Sequence, residues 1–514
     1  MKRETARILP SIVMLLMLAI TQGVSAEGLR SGFDEAFGPQ FRPDARSAPP
    51  DLKHRPPQGF DRAGEVRHWN QIAIDASGLD HTPVAPGENR VFGEQLGPGR
   101  ASRAMAIVHL AVFETVNAIE GGYQSYVGLA PAQRGTSLQA AVAQAAHDTL
   151  AALFPSQAPS FDSQLADDLS IIQEGSMKNN GIALGKRAAL AILAERANDG
   201  SQRSEPRVGI EFITSNDPGK WRQDPISLIP LALGAYWGQV KPFVLERGDQ
   251  FRAPVPPGID SPDYATAYNE VKTLGGDGIV TPTTRSAEQT IIGIFWAYDG
   301  TPSLCAPPRL YNEITLRIAE RMGTVHDVAE LARLLALVNV AMADAAIAVW
   351  ESKYYYQFWR PVTGIREADE HTGPTGLGDG NPATAGDPSY SPLGAPASNL
   401  AGPNFTPPFP AYPSGHAGFG GALFQTLRNF YRTDHIRFSF VSDEFNGVTR
   451  DNNGNVRPLV ERSFTTLSQA EEENGQSRIY LGIHWAFDKT EGIALGRLVG
   501  DHVFKNILRP QHGR

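Results

Sequence analysis

Apolar positions change their spacing at Ala101. From there the stretches ASRAMAIVHLAVFETVNAIE, LQAAVAQAAHDTLAALF, FDSQLADDLSII and GIALGKRAALAILAERAND set apolar residues three and four apart, which predicts four consecutive amphipathic helices. Short Gly/Pro/Ser breaks between them suggest a bundle. Residues 201 to 262 lose the pattern and mix prolines with aromatics, as a segment covering the bundle would. Helical spacing returns at Tyr264 to Leu274, Ser286 to Trp296, Pro308 to Met322 and Val325 to Trp350. Strand-like alternation is scarce throughout. The pattern therefore predicts an all-α fold, two four-helix-bundle-like halves joined by long irregular loops.

Before Ala101 the chain reads differently. Lys2, Arg3 and Arg7, then ILPSIVMLLMLAI, then Val24-Ser25-Ala26 follow the basic, apolar, small-residue order of a secretory signal peptide, with residues 1–26 removed. The apolar run is shorter than the roughly 20 residues a span needs, and no later stretch reads as a span either. The expected location is secreted or periplasmic. Residues 27–98, rich in Pro, Gly, Arg and Asp, read as an extended arm. The expected domains are then 99–260, a first helical bundle with its cover, and 261–514, a second bundle carrying the site.

Composition narrows the partners. A net charge of −9 argues against nucleic acid, and no basic run suggests a membrane surface. A single cysteine, Cys305, rules out an intramolecular disulfide. Asp451-Asn452-Asn453-Gly454-Asn455 invites a calcium-loop reading, but Val456 and Arg462 stand where the loop needs Gly and Glu, so a tight turn is expected.

The chemistry concentrates late in the chain. Pro413-Ser414-Gly415-His416 reads as a helix start, where unpaired amides and the positive dipole end favour an anion. Lys353 and Arg360 flank YYYQFW, and a spacing of seven places them on one helical face before Pro361 ends it. With Arg478 they make three cations beside aromatic and Gly residues, suited to a multiply charged oxyanion. His484 and Asp488, at i and i+4, share a helical face. The carboxylate can take one imidazole N–H and leave the other nitrogen to bond a metal centre or attack phosphorus.

Lys353-YYYQFW-Arg360-Pro361, Pro413-Ser414-Gly415-His416 and Ser477-Arg478-IYLGI-His484-WAF-Asp488 together resemble the three-part signature shared by vanadium-dependent haloperoxidases and their related acid phosphatases. The stretch Phe295 to Gly300, Pro307-Pro308-Arg309-Leu310 and Trp350 resemble the haloperoxidase branch, and the similarity runs from about Arg100 to the end. The resemblance implies vanadate as cofactor, with His484 on the metal and Lys353, Arg360, Ser414, Gly415 and Arg478 holding its oxygens. It implies His416 as acid–base group, Lys353 as polarising cation, Asp299 as an acid paired with an arginine, and Asp488 behind His484. Trp350 and Phe409 would shape the halide pocket. Algal bromoperoxidases place a histidine at the position of Phe409, so the chain looks closer to the chloroperoxidase branch. The implied reaction oxidises halide with hydrogen peroxide to hypohalous acid, which an organic acceptor can consume. Two alternatives stand beside it: an acid phosphatase with His484 as nucleophile, and a non-catalytic exported oxyanion-binding protein. The halide preference and the oligomeric state are not legible.

Overall fold

The computed structural model describes residues 26–44, 46 and 61–511. The expected leader, through position 25, lies outside the described residues, as does the whole Pro-rich stretch 47–60. The fold is all-α, as expected: among the described residues fourteen α-helices stand against two antiparallel strand pairs.

The first helices are α1 (Ala26–Phe37), α2 (Gly64–Asp80), α3 (Gly97–Glu120), α4 (Leu138–Leu153), α5 (Ala158–Ser170) and α6 (Ser176–Arg196). Of these α2 corrects the sequence reading. Residues expected in an extended arm form a helix with Trp69, Ile72, Ala73 and Ile74 fully buried. Its polar residues Glu65, Asn70, Asp75, Ser77 and Asp80 are buried as well, which breaks the apolar periodicity. The α4 and α6 axes approach closely because Gly181 and Gly185 carry no side chain; a Cβ on either would stand 2.5 Å from the Ser137 or Ala141 carbonyl oxygen.

Next come α7 (Pro262–Leu274), α8 (Ala287–Phe295), α9 (Pro307–Met322), α10 (Val328–Tyr356) and α11 (Pro361–Arg366). Asp327 caps α10 by accepting from the Ala329 and Glu330 amides. Every residue from Leu331 to Trp350 is buried, so α10 is the axis on which α3 and the later site helices pack. Its mean hydropathy of 1.8 over 18 residues meets the length and composition of a membrane span, contrary to the sequence reading, yet that window is wholly buried inside the protein.

The last elements are α12 (Gly415–Tyr431), β3 (Phe438–Asn446), β4 (Leu459–Phe464), α13 (Leu467–Tyr480) and α14 (Ala486–Asn506); the short β1 (Arg42–Pro43) pairs with β2 (Leu400–Ala401). Strand β3, paired antiparallel with β4, was not anticipated, although Phe438, Phe440, Ser442 and Glu444 alternate onto its buried face. Between them Asp451 accepts the Asn453 and Asn455 amides, the tight turn expected there. Helices α12 and α14 meet along a glycine ridge. A Cβ on Gly492, Gly496 or Gly500 would lie 2.7, 2.1 or 2.8 Å from the carbonyl oxygens of Ser414, Gly418 or Ala422. That contact brings the starts of both helices side by side.

Candidate active site

The N-terminus of α12 forms one wall. Ser414 is the N-cap, its hydroxyl accepting from the Ala417 amide at 3.4 Å, and its own amide donates to the Asp488 carbonyl at 2.9 Å. The amides at the first turn have no partner within a helix by construction, so those of Gly415 and His416 are free to face an anion. Gly415 is required by close approach: a Cβ there would stand 3.2 Å from Trp350 Cη2.

His484 precedes α14 rather than belonging to it, because Trp485 is the N-cap. The pair with Asp488 forms all the same, Nδ1 to Oδ2 at 2.7 Å, and the Trp485 amide also donates to that oxygen at 3.1 Å. Thus Asp488 caps the helix and orients the imidazole together. Nε2 of His484 takes a hydrogen bond from Arg360 Nη1 at 2.9 Å. An arginine can only donate, so the imidazole is neutral with its proton on Nδ1.

Arg360 also departs from the expected helical face. Gln357 turns left-handed at φ 52°, α10 ends at Tyr356, and Arg360 stands as N-cap of α11. It reaches the site from there, donating to the Phe409 and Ile483 carbonyls at 2.9 and 2.8 Å. Lys353, on the last turn of α10, donates to the Pro410 and Ala411 carbonyls, both at 2.8 Å. Burial, then the neighbouring cations, push the Lys353 ammonium well below its ordinary range; Arg360 falls to about 9 for the same first reason.

Arg478, near the end of α13, donates through Nη2 to both oxygens of Asp299 at 2.7 Å. Its Nε and Nη1 are buried without a hydrogen-bond partner. Asp299 lies in the loop after α8, and burial raises its carboxyl against the pull of Arg478. One residue pair away, Nε2 of His416 donates to the Ala297 carbonyl, leaving Nδ1 as the bare nitrogen. Burial and the cations Arg478, Lys353 and Arg360 hold both His416 and His484 well below the usual imidazole range. Burial lifts Asp488 to about 7.

Trp350, Asp299, Gly415, His416, Arg478, His484 and Phe409 line one cavity, part of which opens outward. The rings of Trp350 and Phe409 are 5.0 Å apart, and Lys353 Nζ lies 5.1 Å from the Phe409 centroid. Lys353, Arg360 and Ser414 stand just behind that lining. All the residues singled out in the sequence therefore converge on one place. Apart from His81, which also lines the cavity, the remaining wall is largely apolar, with Phe37, Leu231 and Phe405 contributed by the N-terminal region, the segment after α6 and the long connection before α12. None of these three, nor the Ala297 carbonyl, was anticipated. A carbonyl is silent in sequence, and isolated aromatics in Pro-rich segments look like any loop residue.

An oxyanion fits this donor set. Three buried cations face two buried carboxylates, two guanidinium nitrogens lack acceptors, and a helix start points at the same space.

Fold and site together define an all-α protein built around a buried, cationic oxyanion pocket. Residues 333–513 match the family model described as the VCPO second helical-bundle domain. The vanadium chloroperoxidase of Curvularia inaequalis is 30% identical over 503 residues, spanning 82% of this chain and 78% of that one. A bacterial vanadium-dependent iodoperoxidase superposes with a TM-score of 0.67 at 25% identity, over 90% of this chain and all of that one. A holo-type bacterial vanadium-dependent chloroperoxidase shares the fold, with a TM-score of 0.59 at 17% identity over 85% and 96% of the two chains. The chain belongs to the vanadium-dependent haloperoxidase family.

Proposed function

We propose that this protein uses vanadate, bound through His484, to oxidise halide with hydrogen peroxide. The observation that carries the reading is Arg478, fixed by Asp299 yet left with two buried, unpartnered nitrogens in the cavity that His484 also lines. Bound vanadate would supply a Lewis-acidic centre that activates peroxide for two-electron oxidation of halide, without changing its own oxidation state.

The chain's own residues do the rest. Arg478, Lys353, Arg360, Ser414 and the Gly415 amide would hold the oxygens of the anion and offset its charge. His484, with its Nδ1 proton fixed on Asp488, would offer Nε2 to the metal in place of the hydrogen bond it takes from Arg360. Peroxide, halide and one proton give hypohalous acid and water. The bare Nδ1 of His416, kept neutral by its surroundings, takes up and returns that proton. Trp350 and Phe409 present an apolar, weakly hydrated face to the halide. Phe409 favours chloride and bromide as the halides to rank, with iodide beside them. The substrates proposed are small molecules only, and export is proposed on the leader sequence alone.

The test is halogenation of a reporter dione by metal-stripped protein with peroxide and each halide, before and after orthovanadate. Activity that needs vanadate and vanishes in His484→Ala supports the reading. Phosphate-ester hydrolysis that vanadate inhibits, without halogenation, replaces it with a phosphatase in which His484 attacks phosphorus.

A further inference from the structure

The loop between α8 and α9, residues 296–306, holds the two groups that set the site's protons and charge: the Ala297 carbonyl on His416 and the Asp299 carboxylate on Arg478. Its backbone is unusual. Tyr298, Ser303 and Cys305 are non-glycine residues in the left-handed region, at φ 46°, 69° and 58°. Each such residue is unfavourable by roughly 1–2 kcal/mol, so three in eight positions persist only where surrounding contacts over-determine them.

Those contacts come from two elements that supply none of the proposed anion-binding groups, although His81, beside Thr82, lines the same cavity. From β3, the Asp443 amide donates to Tyr298 Oη at 2.6 Å, the Ser442 hydroxyl donates to the Phe295 carbonyl at 2.7 Å, and Glu444 Oε1 accepts the Tyr298 amide at 3.3 Å. Glu444 is itself buried and fixed by Arg457 and Ser398. From the end of α2, Thr82 Oγ1 accepts the Ser303 amide at 2.9 Å, and the Ser77 hydroxyl lies 2.9 Å from the Cys305 sulfur. Gly78 lets this segment approach, since a Cβ there would stand 2.6 Å from the Ser303 carbonyl oxygen. Arg309, just after the loop, ties both sides together through Asp75 of α2 and Asp443 of β3, each at 2.7 Å.

We propose that α2 and β3 form a clamp that holds this strained loop, with Tyr298 and Thr82 as positioning residues that fix His416 in its Nε2–H form and Asp299 on Arg478. Neither residue takes part in the chemistry. They act through the Ala297 carbonyl and the Asp299 carboxylate.

The experiment compares Tyr298→Phe, Thr82→Val, their double variant and Thr82→Ser with Leu150→Ala, a core truncation in α4 that loosens the protein elsewhere. Two readouts are taken on the full chain. One is the ¹⁵N pattern of the His416 ring, assigned by its loss in His416→Gln. The other is kcat/KM for peroxide with vanadate loaded. The expected result is a His416 signal that leaves the pure Nε2–H pattern in the clamp variants, with about tenfold lower kcat/KM, as small misplacements of catalytic groups produce. Thr82→Ser, which keeps the hydroxyl, restores both, and Leu150→Ala changes neither. An unchanged His416 pattern in the double variant overturns the proposal, as does a Leu150→Ala that reproduces both effects. The kinetic arm rests on the haloperoxidase reading, whereas the ring signal does not. A wild type that fails to halogenate therefore removes that reading and leaves the clamp to be decided by the signal.

Discussion

A methyl group at position 415 would press on the six-membered ring of Trp350, and the ring is closed in by Phe409 and Phe419 at 5.0 and 6.2 Å. Gly415→Ala should therefore disturb the halide face more than the fold: about 1–3 kcal/mol of stability, typical of overpacking, and at least a tenfold loss of halogenation rate, as about 1 Å of displacement produces. Parallel melting and steady-state assays separate the two. A second residue far from the site carries a pH dependence. Trp69 Nε1 donates to Glu65 Oε1 at 3.1 Å and to Asp168 Oδ2 at 2.9 Å, bringing two carboxyls together inside the protein. Burial, then Asp168, raise Glu65 from 4.5 to about 9. The folded state thus binds a proton that the unfolded chain releases, so this contribution is complete below pH ~4.5 and is lost as pH rises toward ~9. Glu65→Gln keeps the acceptor for Trp69 without the charge. Its melting point should exceed that of wild type by a few degrees at pH 8 and by little at pH 5, since the unfolded carboxyl gains about 1.4 kcal/mol per pH unit above its ordinary value and about 1 kcal/mol corresponds to roughly one degree in a chain of this length. Most of the candidate site residues stood out because three ordered motifs carry them, with Asp299, Trp350 and Phe409 lying outside those motifs; their local geometry was not legible. Arg360 was expected on the α10 face, but the left-handed turn at Gln357 has neither Gly nor Pro to announce it.

Helix α14 approaches α12 along one face of three glycines spaced four apart, and the approach sets where Ser414 meets Asp488. Gly496 is the tightest point, with a Cβ position 2.1 Å from the Gly418 carbonyl, backbone that cannot rotate away. Gly496→Ala should force the helices apart and destabilise the protein by about 3 kcal/mol or more. A denaturant melt measures this, and equal stability to wild type would refute the ridge as a constraint. Elements with ordinary amphipathic spacing, such as α3, α4 and α6, were read correctly from sequence. Helix α2 was missed because six polar side chains on it, His68 among them, are buried, which removes the periodic signal. Strand β3 was missed because its inward face mixes Phe438 and Phe440 with Ser442 and Glu444, residues whose burial depends on partners from distant loops.

At the scale of the whole molecule, the site draws on residues from 299 to 488, delivered by helix ends and loops around α10. No single segment contains it, so occupancy should stabilise the protein as a unit. Orthovanadate at a hundred times its dissociation constant adds about 2.7 kcal/mol, and phosphate at matched concentration should compete for the same increment. Melting curves with each anion check this, and on the proposed reading, in which vanadate bonds the imidazole and phosphate does not, His484→Ala should keep the phosphate response better than the vanadate response. The all-α class was visible in the helical spacing. The route by which the N-terminal residues return to the cavity through Phe37 was not, since long-range contacts leave no local pattern.

The hydrogen bond from Arg360 to His484 has a consequence for metal hygiene. Imidazoles readily bind zinc and copper, the strongest binders among common divalent ions. Here the available nitrogen is capped by a guanidinium and surrounded by two further positive charges, and no cluster of three or more metal-binding side chains occurs among the described residues. A divalent cation would have to displace a like charge to reach it, whereas an oxyanion is drawn in by the same groups that repel the cation. The pocket is in effect a filter by sign of charge: dialysis against zinc should leave it open to vanadate, with full activity recovered when the anion follows.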